Sequence, residues 1–86
     1  MRFSVQAYIH KQLNLPFGPF VGQVRRLADK LGRPGIEGKR GQTNKRVKRK
    51  GYVRIVFPTR RLAKQYQALV AQMWGSSVPT RRFRVP

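Results

Sequence analysis

Arginine and lysine side chains are the groups with the clearest chemical use in this sequence. The 86 residues contain 20 Lys or Arg against two acids, Asp29 and Glu37, which gives a formal charge of +18 at pH 7. Because two carboxylates cannot neutralise so many cations, the chain must either repel itself or meet an anionic partner. A nucleic acid is such a partner, since each phosphate that a cation neutralises releases condensed counterions.

The same composition argues against most catalytic chemistry. Two acids in the whole chain leave little scope for the paired carboxylates that many hydrolases use. His10 is the single histidine, and without a partner acid nearby we interpret it as a surface residue rather than a general base. Cysteine is absent, and the glycine-rich stretch 35–41 lacks the Gly-Lys-Ser/Thr ending of a phosphate-binding P-loop. We therefore expect no enzyme activity, no metal and no cofactor.

The densest group of cations lies between residues 33 and 50. Glycines separate these cations, and only Ile36 and Val47 are apolar, so the segment cannot bury enough surface to fold alone. We predict an extended, mobile loop or arm that follows a phosphate backbone, with a short strand near 45–48 as an open alternative. The basic residues of this segment are Arg33, Lys39, Arg40, Lys45, Arg46, Lys48, Arg49 and Lys50.

Three segments have the alternating pattern of half-buried strands. Residues 2–10 place apolar side chains on one face and polar side chains on the other. Residues 52–57 are rich in β-branched and aromatic residues, and Pro58 ends them. Residues 80–85 predict a last strand, with Phe83 and Val85 facing inward and Arg82 and Arg84 facing outward.

Two stretches between these strands repeat apolar residues at i, i+4, i+7, i+8 and i+11, as amphipathic helices do. We predict that the first begins at Pro19 and ends before Gly32, and that the second is capped by Thr59 and ends at Gly75. Their apolar stripes are Phe20, Val24, Leu27, Ala28 and Leu31 in the first helix, and Leu62, Tyr66, Leu69, Val70 and Met73 in the second.

The order β-α-β-α-β predicts a single small α/β (α+β) domain over residues 1–86. Such elements bury one another as a two-layer sandwich, with both helices on one face of a small sheet and the other face open. Bases could stack on tyrosine rings and arginine planes there, although a merely solvated surface is the alternative. The predicted open face carries Arg2, Gln6, Tyr8, His10, Tyr52, Arg54, Arg82 and Arg84.

The start of the second predicted helix has an unusual charge pattern. Arg60, Arg61 and Lys64 place cations in its first turns, where the helix dipole favours anions. A bound phosphate would resolve this conflict. We therefore add a phosphate contact near residues 59–64 to the candidate interface.

The stretch Lys50–Phe57 resembles the strand motif of the RNA recognition motif family, whose pattern is basic-Gly-aromatic-small-aromatic-aliphatic-any-aromatic. Five of its eight positions match; Val53 replaces the small residue and Arg54 replaces the second stacking aromatic. The resemblance implies a β-α-β-β-α-β fold, with one strand hidden in the basic segment, that binds RNA on its sheet. Short ferredoxin-like proteins of ribosomes share this layout.

A second resemblance is to the small linker proteins of cyanobacterial phycobilisomes. Phe3–Ala7 resembles their opening strand, and the resemblance implies a basic protein that threads acidic, pigment-bearing rings. The segment 33–50 has no counterpart in that pattern. The positions similar to its second half are Phe57, Pro58, Leu62, Gln67, Leu69 and Gly75–Val78.

These features predict a nucleic-acid-binding protein that takes RNA or another single strand by phosphate neutralisation and by aromatic and arginine stacking, within a ribonucleoprotein or packaging assembly. The alternative is a basic structural linker in an acidic protein assembly such as a phycobilisome. Apolar runs are too short to span a bilayer, and the region after Arg2 has no signal-peptide pattern. We therefore expect no membrane partner and a cytoplasmic location, or a particle assembled in the cytoplasm.

Overall fold

A computed structural model describes residues 2–10, 13–32, 36–40 and 49–85, with the backbone alone for 36–40, 49 and 50. A 3-10 turn at Gly75–Ser77 follows the second helix. The strands and helices are, in chain order, β1 (Arg2–His10), α1 (Phe17–Lys30), β2 (Ile36–Arg40), β3 (Arg49–Phe57), α2 (Arg60–Trp74) and β4 (Thr80–Val85).

The strands form one antiparallel sheet in the order β2-β3-β1-β4. In the described part of the chain both helices pack on one face of this sheet, so the predicted two-layer α+β sandwich is confirmed. The order β-α-β-β-α-β, with β3 lying between β1 and β2, is a split β-α-β arrangement. Neither described helix is long and apolar enough to cross a membrane.

The strand β2 corrects the prediction that residues 33–50 are a loop throughout. Ile36 pairs with Ile55 and Arg40 pairs with Gly51, and β3 already begins at Arg49. Backbone hydrogen bonds to the neighbouring strand, rather than apolar side chains, define this element, which is why periodicity does not reveal it. Residues 33–35 and 41–48 lie outside the described part of the chain, and so does the alternative strand near 45–48.

The core lies between the two helices and the sheet. Phe20, Val24, Leu27 and Ala28 of α1 are buried, so the predicted stripe of the first helix is confirmed apart from the half-buried Leu31. Burial of one such large apolar side chain contributes about 1.5–3 kcal/mol. The strands contribute Val5, Ala7, Ile9, Val53, Ile55 and Phe57 to the same cluster.

The second helix is turned slightly from its predicted orientation. Tyr66 and Val70 are buried as expected, but Ala63 is buried as well, Leu69 is only half-buried and Met73 is 50% exposed. The inclusion of Met73 in the core stripe is therefore wrong. Helical spacing identifies an apolar side of a helix but not where the edge of that side lies.

The helix ends largely follow the sequence signals. The Thr59 hydroxyl accepts a hydrogen bond from the Leu62 N–H at 3.2 Å, and Gly32 and Gly75 have φ values of 70° and 61°. This backbone region favours glycine. Helix α1 begins at Phe17, earlier than predicted, and it tolerates Pro19 because the first-turn N–H groups have no partner within the helix.

The orientation of β4 is the reverse of the prediction. Phe83 lies opposite Ser4, whereas Arg82 lies opposite Val5 and Arg84 opposite Phe3. Phe83 therefore shares the open face, and Arg82 and Arg84 share the face that the helices cover. Buried Val78 precedes the strand and belongs to the core cluster, and Thr80 follows it opposite Ala7. A shift of one residue in register is enough to exchange the faces of a whole strand.

Candidate nucleic-acid interface

The open face of the sheet is assembled by the pairing of β1 with its two neighbours. Tyr8 lies opposite Tyr52, and Gln6 lies opposite Arg54 on β3 and Arg81 on β4. Directly opposed residues in an antiparallel sheet point to the same side. These side chains consequently form one surface across three strands, and the sequence prediction that Tyr8, Tyr52 and Arg54 share it is confirmed.

Two tyrosines stand side by side on this surface. The ring centroids of Tyr8 and Tyr52 are 5.8 Å apart at an interplanar angle of 49°, a favourable tilted contact. The Tyr8 hydroxyl donates a hydrogen bond to Gln6 Oε1. Tyr8 is only 6% exposed, whereas Tyr52 is half-buried. Tyr8 thus holds the ring of Tyr52 in place, and Tyr52 is the member of the pair that offers surface to a ligand.

A shallow depression of about 330 Å³ opens at the other end of this face. Its volume is at the lower end of the range for small-ligand sites. Phe83, 41% exposed, supplies an aromatic wall. Polar groups lie beside apolar ones around the depression. Its lining residues are Ser4, Gln6, Arg54, Phe83, Arg84 and Val85.

The structure divides the predicted cations between several locations. Arg54 is half-buried on the open face. By contrast, an Arg82 guanidinium nitrogen donates a hydrogen bond at 3.0 Å to Gln67 Oε1 of α2, and Gln67 Nε2 donates one to the Thr80 hydroxyl at 3.0 Å. Arg82 therefore fastens β4 to the helix layer and does not belong to the open face. Arg84 is exposed on β4, an edge strand of the sheet.

The remaining predicted cations lie elsewhere. Arg60, Arg61 and Lys64 are exposed on α2, in the layer on the other side of the sheet, so they do not join the open face. In the backbone register Lys39 lies opposite Tyr52, Arg40 opposite Gly51 and Arg49 opposite His10. Lys50 belongs to β3. The cations outside the described residues are Arg33, Lys45, Arg46 and Lys48.

Two residues of the candidate interface, Arg81 and Phe83, are not predicted from the sequence. Exposed Arg81 lies opposite Gln6, and Phe83 stands beside the depression. Alternation within residues 80–85 places Phe83 on the core side of the sheet, and it does not single out Arg81. Only the register between β4 and β1 identifies their face, and no signal within that short segment sets it.

A metal site is absent from the described residues, where no three His, Asp or Glu side chains gather closely enough to hold an ion.

No protein-family model and no curated protein sequence matches this chain.

Proposed function

We propose that this protein binds single-stranded nucleic acid, with RNA favoured, across the open face of its sheet. The observation that carries the proposal is the presence of partly exposed aromatic rings, Tyr52 and Phe83, among arginines on the face that the two described helices leave open. Rings of this kind stack on bases of any sequence, and arginines neutralise the phosphates between them. The protein would act by charge and stacking within a ribonucleoprotein or packaging assembly.

The two rings are too far apart to serve one base. Tyr52 lies opposite Tyr8 and Phe83 opposite Ser4, four residues apart along β1 and on strands on either side of it. At about 3.4 Å per residue and about 4.8 Å per strand, their backbone positions are about 17 Å apart. Two different bases of one strand would therefore occupy them, and the pair of Gln6 and Arg54 lies between.

Unpaired bases suit this surface better than a duplex does. Base faces are available for stacking in single strands but are covered by neighbouring pairs in a helix. The segment Lys50–Phe57, with its resemblance to the RNA recognition motif, is part of β3 next to the sheet centre, which further supports RNA. A linker role in an acidic protein assembly requires the cations but not the exposed aromatic rings, and it is the opposing outcome of the test.

A salt series distinguishes these functions. The full chain is titrated against a short single-stranded RNA, the matching duplex DNA and an acidic phycobiliprotein, at several salt concentrations. We expect RNA to bind more tightly than the duplex, with log K falling by about 0.7 per phosphate contact for each tenfold rise in salt. Binding to the acidic protein alone, with both nucleic acids released near physiological salt, would contradict the proposal and favour the linker.

The stacking contribution is tested by Tyr52→Ala. Loss of one stacked base costs about 1–3 kcal/mol, which corresponds to roughly a 5- to 150-fold weaker affinity for RNA. Met73→Ala is the matched control, because Met73 is also exposed and uncharged but lies on α2. Thermal unfolding verifies that both variants fold. Equal RNA affinity of the two variants would remove the sheet face from the binding site.

A further inference from the structure

Building on the nucleic-acid binding proposed above, we propose that the helix layer is a second polyanion surface, so that one molecule bridges two strands. The two helices carry six exposed cations and a single acid, Asp29. This layer lies on the opposite side of the core from the open sheet face. The cations are Arg25, Arg26 and Lys30 of α1, and Arg60, Arg61 and Lys64 of α2.

Helical geometry directs part of this charge away from the sheet. Arg26 follows buried Val24 by two positions, and Lys64 precedes buried Tyr66 by two positions. At about 100° per residue, two positions turn a side chain to nearly the opposite side of the helix. Arg26 and Lys64 therefore point outward from the helix layer, where they cannot contact a strand lying on the sheet.

The two surfaces act independently of each other. The shortest dimension of the molecule is 20 Å, more than twice the Debye length of about 8 Å at physiological ionic strength. Polyanions on opposite sides are thus screened from mutual repulsion, and each meets its own set of cations. With a single acid on the helices, little within this layer neutralises that charge.

The two surfaces also differ in the chemistry that they can recognise. The sheet face carries the exposed ring of Phe83, 41% exposed, beside half-buried Tyr52. On the described helices no aromatic ring is exposed to that extent: Phe20 and Tyr66 are buried, and the half-buried rings of Phe17 and Trp74 pack against Phe20. Because the exposed charged groups of the helix layer are mostly cations, its contacts are mainly with phosphates, so that surface accepts single strands and duplexes alike. The cations at the start of α2 also oppose the helix dipole, a conflict that a bound phosphate backbone relieves.

The test measures energy transfer between two non-complementary RNA strands, one carrying a donor dye and the other an acceptor, on addition of the full chain. The helix-layer variant is Arg26→Gln with Lys64→Gln. The matched control, Arg2→Gln with Arg81→Gln, removes the same charge from exposed positions on the sheet side. Binding of a single strand is measured in parallel.

We expect the helix-layer variant to bring two strands together about 15-fold less well, since it removes two phosphate contacts and each is worth roughly fourfold near physiological salt. Its binding of one strand should remain sensitive to Tyr52→Ala. The control should weaken binding of the first strand instead. Equal bridging by the helix-layer variant and the unmodified protein would overturn the inference, and so would bridging that sedimentation assigns to a protein dimer. If the unmodified protein binds one strand normally but does not bridge two, this inference alone is refuted. If the unmodified protein binds no strand, the proposed function is refuted.

Discussion

Replacement of Tyr66 by phenylalanine should stabilise this protein, because the Tyr66 hydroxyl is buried without a hydrogen-bond partner in the described part of the chain. The side chain is 0% exposed, its ring lies 5.1 Å from that of Phe57, and within the described part of the chain its hydroxyl has no hydrogen-bond partner. An unsatisfied buried polar group costs about 1–3 kcal/mol. Tyr66→Phe keeps the ring contact and removes that cost, apart from the small void left by one oxygen.

We expect the free energy of unfolding to rise by about 1–2 kcal/mol, which for a domain of this size raises Tm by about 4–8 °C per kcal/mol. Urea and thermal denaturation, followed by the fluorescence of Trp74, measure this change. Trp74 is a suitable probe because its ring packs against Phe20 at 5.4 Å. Tyr52→Phe is the matched control: it removes a phenol oxygen from the open face and should leave stability nearly unchanged.

The effect should also depend on pH. Burial raises the pKa of Tyr66 well above its ordinary value of 10.0. Above pH 10 the unfolded chain therefore loses the phenol proton while the folded protein retains it. Ionisation of this group therefore has no effect on the free energy of unfolding below pH 10. Above pH 10 it lowers the free energy of unfolding by about 1.4 kcal/mol per pH unit. Tyr66→Phe lacks this decline, so its advantage should grow above pH 10. A destabilised variant, or the same alkaline decline in both proteins, would refute this reasoning.

Two further changes test the core and the attachment of β4. Ile55→Ala should lower the free energy of unfolding by about 2–5 kcal/mol, because Ile55 is 0% exposed. Leu69→Ala should lower it less, because Leu69 is only half-buried; equal losses in urea denaturation would contradict this assignment of the core. Gln67→Ala removes the hydrogen bonds to Thr80 and Arg82, so the free energy of unfolding should fall by about 1 kcal/mol and the backbone amides of β4 should exchange hydrogen faster. Unchanged exchange would show that Gln67 does not hold that strand.

Local patterns predict the parts of this fold that depend on a single element. The apolar stripe of α1 around Phe20 and Val24 follows from spacing alone, because a helix buries whichever side is apolar. Likewise, strict alternation along β1 places Tyr8 on one side and Ile9 on the other. The charge of +18 and the absence of cysteine are properties of composition alone, and they already limit the class of partner.

Local patterns predict only part of the candidate site. Tyr52 and Arg54 could be assigned to the open face because β3 alternates clearly, but the burial of Tyr8 could not, since it depends on neighbours brought together across strands. The apolar character of Phe83 predicts a core residue. On the short strand β4, hydrogen bonds from Gln67 and the position of Val78 in the core outweigh that preference.

The sequence by itself determined the types of the elements other than Ile36–Arg40, most of the two apolar helix stripes and the strongly cationic character of the chain, because these follow from composition and from contacts between near neighbours. Only the tertiary structure decided that Ile36–Arg40 is a strand, that Phe83 and Arg81 share a face with Tyr52, and that Arg82 is directed to the helices. The physical reason is that strand register joins residues distant in the chain. A one-residue shift exchanges both faces of a strand without any change in its local conformation.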